Sequence, residues 1–412
     1  MASKKIREYD AKRLILARLP KGIAAAYRGV LVGPTTKLDA LPKQFPWLVK
    51  EKLAVKPDQL FGKRKQYNLV LLHSDFAGVK KFILAHRNKK VTIGKATDAL
   101  THFLIEPMIA HQQEYYISIT SQRTCDVIYF SAEGGFNIEE RWDRVKKIAI
   151  PVGGTLSTTQ LKSAGIPEKL HHFMVELYRL YVTLDFTYLE INPFCIDVKG
   201  TVHLLDMVAQ LDGCAHFLHP QDWKNVEFPR SFGNKSYPEE EFISKLDEES
   251  GASLKLTILN PQGRIWNILS GGGASIIYLD TIVDAGLGKE LANYGEYSGN
   301  PTREESYQYA KTVLDLMTRK AHPKGKLLFI AGAIANFTDV KETFMGIVRA
   351  LKEYQEKLRT QKIRIIVRRG GPNYEQGLKL IHDTGREMKV PIEVHGPETP
   401  MVSIVAPALE KL

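Results

Sequence analysis

The chain has 412 residues, room for two or three domains, and its 44% hydrophobic content supports well-packed cores. No run of about 18 apolar residues occurs, so no membrane span is expected, and the charged stretch Met1 to Tyr9 lacks the apolar segment of a signal peptide. The net charge of +11 is scattered in small clusters (Lys63-Arg64-Lys65, Arg87 to Lys90, Arg368-Arg369) with no long basic arm and no interleaved aromatics. A nucleic-acid partner is therefore not expected. Small anionic ligands account for the excess, as does a simply soluble basic surface. Cys125, Cys195 and Cys214 make no C-x-x-C pair, and the histidines show no metal-ligand spacing. A reducing, cytoplasmic setting is expected.

Residues 1 to about 115 alternate short helical and strand patterns. Leu53-Ala54-Val55-Lys56 reads as the end of a strand, followed by Pro57-Asp58 and a basic loop, Gly62 to Lys65. A lysine leaving a strand and an arginine in a flexible loop both reach phosphates; each is equally ordinary surface charge. Phe103 to Ile109 is a short apolar strand broken by Pro107, which frees backbone groups for an adenine ring or marks an edge strand. Glu114 follows, placed to accept from ribose hydroxyls.

Tyr115 to Phe130 reads as a hairpin, and Glu133-Gly134-Gly135 turns the chain. From Pro167 to Val182 the apolar residues Leu170, Phe173, Met174, Leu177, Leu180 and Tyr181 follow a helical period, as a core stripe does. Tyr188 to Phe194 and Val202 to Asp206 flank Lys199-Gly200, a second hairpin. Glu190 and Asn192 share one face of its first strand, and pairing in the expected register brings Asp206 near them. Two carboxylates and an amide oxygen in one place suit Mg²⁺ on a nucleotide, where phosphates supply the remaining ligands. The alternative is a hairpin with solvated acids.

From Trp223 to Tyr237 the sequence is irregular, as in a linker. Beyond it a strand–loop–helix pattern repeats. Arg264 to Leu269, Lys326 to Ile330 and Ile363 to Val367 are strands, followed by the loops Ser270 to Ser275, Ala331 to Thr338 and Arg368 to Asn373, each leading into a helix; Ile392 to Val394 is a further strand. This alternation predicts a parallel sheet covered by helices on both faces. Ligands of such sheets bind beyond the carboxyl ends of the strands, where all three loops lie. Glycines there let backbone N–H groups approach a ligand, and helix N-termini favour anions. Arg368 or Arg369 can fork onto a carboxylate. Asn336 and Thr338 offer neutral donors, or one of them caps the following helix. Gly271-Gly272-Gly273 is not a dinucleotide fingerprint, and a ligand with several carboxylates fits this edge better.

The two halves together resemble the amino-terminal part of ATP-citrate lyase, within the superfamily of succinyl-CoA synthetase β subunits. The resemblance covers nearly the whole chain. It rests on Val55 to Leu60, Tyr188 to Pro193, Ser250 to Lys255, Leu259 to Pro261, Gly271 to Ser275, Asn293 to Gly299, Ala335 to Thr338 and Val367 to Tyr374; the last four are the most specific. It implies an ATP-grasp domain over 1–243 and a flavodoxin-like, citrate-binding α/β domain over 244–412, an α/β and α+β chain. By motif position, Lys56, Arg64, Lys65, Pro107, Ile109, Glu114 and Asp206 would surround ATP. Asn192 and Asp206 would hold Mg²⁺, and Glu190 would face a phosphorylated histidine. Gly299, Asn336, Thr338, Tyr354 and Arg369 match citrate positions, and Asp247, Ser250 and Ala252 a further metal contact.

No histidine here lies in the Gly-His-Ala-Gly-Ala-like loop that this family phosphorylates; His395 precedes glycine and proline instead. The resemblance therefore implies a hetero-oligomer. A larger partner subunit would carry the phosphohistidine, the citrate-synthase-like domain and most of the site for CoA as co-substrate. The rival readings are a citryl-CoA synthetase subunit, a succinyl-CoA synthetase β subunit, and a non-catalytic citrate- or nucleotide-sensing protein.

Overall fold

The computed structural model describes residues 3–135, 142–234, 237–410 and 412, and the chain divides into two compact units, Met1–Asn234 and Lys235–Leu412. A boundary at 243/244 would cut the helix Pro238–Glu249, whose Ile243 is buried in the second unit's core, so this helix belongs to the second unit. Of the expected linker, Lys235 and Ser236 lie outside the described residues.

The first unit runs β1 (Ser3–Ile6), α1 (Glu8–Leu16), β2 (Val30–Val32), α2 (Leu41–Gln44), β3 (Leu53–Pro57), β4 (Leu71–Ser74), α3 (Phe76–His86), β5 (Lys90–Ile93), β6 (Ala96–Ala99) and β7 (Phe103–Pro107). It continues with β8 (Glu114–Ser121), β9 (Cys125–Ser131), β10 (Lys146–Pro151), α4 (Thr158–Ser163), α5 (His171–Thr183), β11 (Phe186–Ile196), β12 (Val202–Leu204) and β13 (Met207–Asp212). Among the described residues a large antiparallel sheet is ordered β1-β13-β11-β8-β9-β10, with β12 on β11; a smaller sheet is ordered β2-β7-β3-β4, and β5 pairs with β6. The stripe expected of α5 is buried, from Leu170 to Tyr181, against Ile117, Ile119, Leu189 and Ile191 of the large sheet and Leu14 and Ile15 of α1. Each such side chain contributes roughly 1.5–3 kcal/mol. Side chains alternate along β11, so burying Leu189 and Ile191 turns Glu190 and Asn192 to the opposite, partly open face. β7 is an interior strand between β2 and β3, not an edge, and Pro107 is its last residue.

The second unit comprises α6 (Pro238–Glu249), β14 (Ser253–Ile258), β15 (Ile265–Ser270), α7 (Gly272–Ile282), β16 (Asn293–Ser298), α8 (Arg303–Thr318) and β17 (Lys326–Ile334). After these come α9 (Val340–Glu353), α10 (Gln355–Thr360), β18 (Ile363–Gly370), α11 (Tyr374–Met388), β19 (Ile392–His395) and α12 (Val405–Glu410). Its sheet is ordered β14-β16-β15-β17-β18-β19. β16 to β19 and β15 are parallel; β14 adds antiparallel to the β16 edge. The parallel part has the flavodoxin-like order, whose switch point lies between β15 and β17. Every residue of β15 is buried, as a strand covered on both faces requires. Among the described residues no helix is long and apolar enough to cross a membrane.

Candidate functional sites

In the first unit the predicted ATP residues come from both sheets. β3 supplies Lys56, and the short helical turn Arg64–Tyr67 after it supplies Arg64. The large sheet supplies Asp206, at a break in its ladder. The backbone N–H groups of Leu205 and Asp206 both donate to Pro193 O (3.0 and 3.2 Å), while Asn192 N donates to Asp206 O (3.0 Å). Such an irregularity re-aims a side chain. Asp206 Oδ1 accepts from Lys56 Nζ at 3.1 Å, Arg64 Nη1 at 3.2 Å and Met207 N at 3.1 Å. Burial opposes the charge on Asp206, but Lys56 and Arg64 outweigh it and hold the carboxyl well below the usual carboxylate range.

Glu8, at the start of α1, was not anticipated as a site residue. Its Oε1 accepts from Lys56 Nζ at 2.7 Å and pairs with Lys12 Nζ at 2.8 Å; Lys12 also bonds both oxygens of Glu106 and the Leu205 carbonyl. Burial and the neighbouring Asp206 push the Glu8 carboxyl up to about 7, against the pull of Lys12, Lys56 and Arg64. The signal available in the sequence was the Glu8–Lys12 spacing of four on a helix, which many surface pairs share.

Asn192 Oδ1 accepts from Gly135 N at 2.7 Å, which ties the glycine turn to the hairpin. Glu190 accepts a hydrogen bond from Tyr188 on the same open face. Burial and this bond push the Tyr188 hydroxyl far up. His111 bridges Ile109 O (2.8 Å) and Glu114 Oε1 (3.1 Å). A cavity of about 490 Å³ opens here, lined by residues 111–114 and Ala132, Glu133 and Gly134. Pro107 pairs with Leu53 across β3, and Lys65 is exposed beside the buried Arg64. Among the described residues no group of three or more His, Cys, Asp or Glu is placed to hold a metal. Asn192 and Asp206, neighbours in the ladder, still fit Mg²⁺, which takes one or two protein carboxylates and fills its shell with waters and phosphate oxygens.

In the second unit the C-terminal edge gathers Gly299, Asn336, Thr338 and Arg369. Asp339, also unanticipated, joins their loops. It caps α9 through Glu342 N (3.0 Å), accepts from Asn373 Nδ2 (2.7 Å), and its own N–H donates to Asn300 Oδ1 (3.0 Å). Neither Asn336 nor Thr338 caps the helix, because the next residue, Asp339, does so. Ala335 N donates to Gly370 O at 2.9 Å, fastening the Asn336 loop to the Arg369 strand. Asn336 is exposed and Thr338 buried. Gly299 has φ +74°, and a Cβ there would lie 3.1 Å from Ala252 Cα.

The adjacent arginines differ. Arg368 is held by three backbone carbonyls, those of Thr399 (3.0 Å), Gly332 (2.8 Å) and Pro397 (3.2 Å). Arg369, only 2% exposed, donates to the Ala333 carbonyl, and its Nε has no hydrogen-bond partner among the described residues. Burial lowers its affinity for the proton, although Tyr297 opposes this. Gly332 leaves room for it: a Cβ there would come 3.2 Å from Arg369 Nη1.

Two groups are not brought to this edge as expected. Tyr354 follows the last residue of α9, and its hydroxyl donates to Asp315 Oδ1 at 3.4 Å. A helix of that length is about 20 Å long, so Tyr354 sits at the opposite end of the sheet from Thr338. Asp247 and Ser250 close the turn between α6 and β14: Asp247 accepts from Leu254 N (2.7 Å) and Lys255 Nζ, and Ser250 Oγ from Ala252 N (2.9 Å). Their oxygens serve the turn in this structure.

The fold and sites define a class: an ATP-grasp unit followed by a flavodoxin-like unit whose C-terminal sheet edge holds a buried arginine with no salt bridge among the described residues. Residues 2–223 match the family described as ATP-citrate synthase ATP-grasp domain, and residues 234–411 the family described as ATP citrate lyase citrate-binding. The chain belongs to the ATP-citrate lyase (ATP-citrate synthase) family. It is 45% identical to an Arabidopsis thaliana ATP-citrate synthase alpha chain over 421 residues, covering 100% of this chain and 99% of that one. It is 43% identical to Homo sapiens ATP-citrate synthase over 420 residues, 99% of this chain but 38% of the human protein. The solved structure of ATP citrate lyase from Methanothrix soehngenii in complex with citrate and coenzyme A superposes with a TM-score of 0.90 at 46% identity, covering 99% of this chain and 100% of that one.

Proposed function

We propose that this chain is the nucleotide- and citrate-binding subunit of an ATP-citrate lyase. It works with a larger partner that carries the phosphohistidine, the cleavage domain and most of the CoA site. The observation that carries this reading is the meeting of Lys56 and Arg64, from the small sheet, with Asp206, beside Asn192 on the large one. Cations from one side and oxygen ligands from the other would together face a metal-bound triphosphate. Asn192 and Asp206 would hold Mg²⁺, which supplies charge neutralisation on the phosphates. Catalysis of phosphoryl transfer is mostly positioning and charge stabilisation. Lys56 and Arg64 neutralise the transferring group, and Glu190 on the open face steadies the cationic ring of the partner's histidine. Pro107, Ile109 and Glu114 line the nucleoside end.

The phosphoryl group then passes to citrate. Arg369, buried without a carboxylate partner, forks onto one carboxylate, and Gly299, Asn336 and Thr338 complete the site. Citryl phosphate forms; CoA displaces phosphate to give citryl-CoA, which the partner cleaves to acetyl-CoA and oxaloacetate. That this chain spans 38% of the human protein supports a division of labour between two subunits. The three free cysteines fit a cytoplasmic setting.

Calorimetric titration of the chain and of its co-purified complex with citrate, then succinate, tests the substrate. Citrate binding lost in Arg369→Ala, without succinate binding, is expected. A complex that binds succinate as tightly as citrate refutes the assignment. Citryl-CoA accumulating in the complex without oxaloacetate would assign it instead to a citryl-CoA synthetase.

A further inference from the structure

We propose that Glu8 is a positioning residue of the phosphoryl-transfer site, keeping Lys56 and Arg64 in place when Asp206 turns to the metal. This role rests on Asp206 being a metal ligand of that site.

An ammonium has three N–H donors, and those of Lys56 are matched by three acceptors: Glu8 Oε1 (2.7 Å), Leu205 O (3.0 Å) and Asp206 Oδ1 (3.1 Å). These acceptors differ in freedom. The Asp206 side chain is 40% exposed, that of Glu8 1%. Glu8 is also held from two sides. The fully buried Lys12 pairs with the same carboxylate oxygen. The backbone N–H groups of Glu8 and Tyr9 donate to Asp58 Oδ1 and Oδ2, at 3.0 and 3.1 Å. Asp58 lies two residues beyond Lys56, so the segment bearing the lysine also anchors its counter-ion.

The second oxygen, Glu8 Oε2, is buried with no hydrogen-bond partner among the described residues, and Arg64 Nη1 lies 3.6 Å from it. Arg64 now bonds Asp206 instead, at 3.2 Å. Glu8 and Arg64 form an ion pair without a hydrogen bond, and a small shift of Arg64 would add one. When Asp206 leaves, Arg64 therefore has an acceptor ready, and Lys56 keeps two of its three bonds while the freed N–H faces the phosphate. Without Glu8, Asp206 would be the carboxylate on which both Lys56 and Arg64 depend, and they would compete with the metal for it.

The first test needs no nucleotide. Acetylation of Lys56 by an amine-reactive ester, read by mass spectrometry on the full chain, should be about tenfold faster in Glu8→Gln, the scale of one lost charge-assisted hydrogen bond. An unchanged rate overturns the anchoring role. The second test uses the complex with its partner. At saturating Mg-ATP, Glu8→Gln should slow histidine phosphorylation about tenfold, and this loss should vanish in a Lys56→Ala background. Equal losses in both backgrounds mean that Glu8 acts through the fold and overturn the proposal. Should Glu8→Gln fail to fold, Glu8→Asp keeps the charge but shortens the arm, and the same two outcomes apply. Wild-type complex that shows no Mg-ATP-dependent phosphorylation would overturn the functional reading, while the labelling result would still judge Glu8.

Discussion

The two candidate centres treat charge in opposite ways. In the first unit Lys12, Lys56 and Arg64 meet Glu8, Glu106 and Asp206, and every cation has a carboxylate. In the second, Arg369 is buried against a carbonyl and a tyrosine, with no salt bridge among the described residues. A paired centre has its charges balanced without ligand, and by the proposal above it works by exchange of partners. An unpaired buried cation is costly until an anion arrives, so a ligand carboxylate gains most there. Under the proposed function, the difference separates a site that must release product phosphates from one that must select an acid.

The largest effect is expected at the exchanging carboxylate. Asp206→Ala should reduce Mg-dependent phosphoryl transfer to the partner on the order of a thousandfold, the scale of losing one preorganised charge-stabilising group. A fully active variant would remove Asp206 from metal binding. Arg369→Ala should weaken citrate binding roughly a hundredfold, since hydrogen bonds to charged groups contribute about 1.5–3 kcal/mol. It should leave ATP binding unchanged and the ligand-free chain no less stable, because it removes an unpaired buried charge. Arg368→Ala should do the reverse, costing about 2–4 kcal/mol in urea denaturation by orphaning three carbonyls. If the two arginine variants behave alike, the contrast between centres fails.

Glu190→Gln should slow phosphohistidine formation more than it weakens ATP binding; an unchanged rate would remove Glu190 from the transfer step. The smallest effect lies outside both centres. Burial and the adjacent Arg7 lower the His102 pKa below its ordinary value, despite Glu227 and Asp58. The folded state thus favours the neutral ring. That stability is present above about pH 6.5, the ordinary histidine value, and is lost as pH falls below it. His102→Gln should flatten the dependence of urea stability on pH between about 5 and 7; an unaltered slope would assign it to other groups.

Residues that act through local pattern were legible in the sequence. Period and composition marked α5, the hairpin β11–β12 and the strand–glycine–helix repeats, because alternation and helical spacing are properties of neighbours along the chain. Lys56, Asn192 and Asp206 fell at strand ends or bulges that this reading could place; it left Arg368 and Arg369 as alternatives, and the family resemblance chose between them. Folding in three dimensions alone brought Glu8 under Lys56, through Asp58 holding the start of α1, and made Asp339 the tie between three loops. It also sent Tyr354 to the far end of α9 and made the oxygens of Asp247 and Ser250 acceptors within a turn. Each outcome depends on which partner, distant in sequence, satisfies a buried charge or a helix end, and the chain order alone does not contain that pairing.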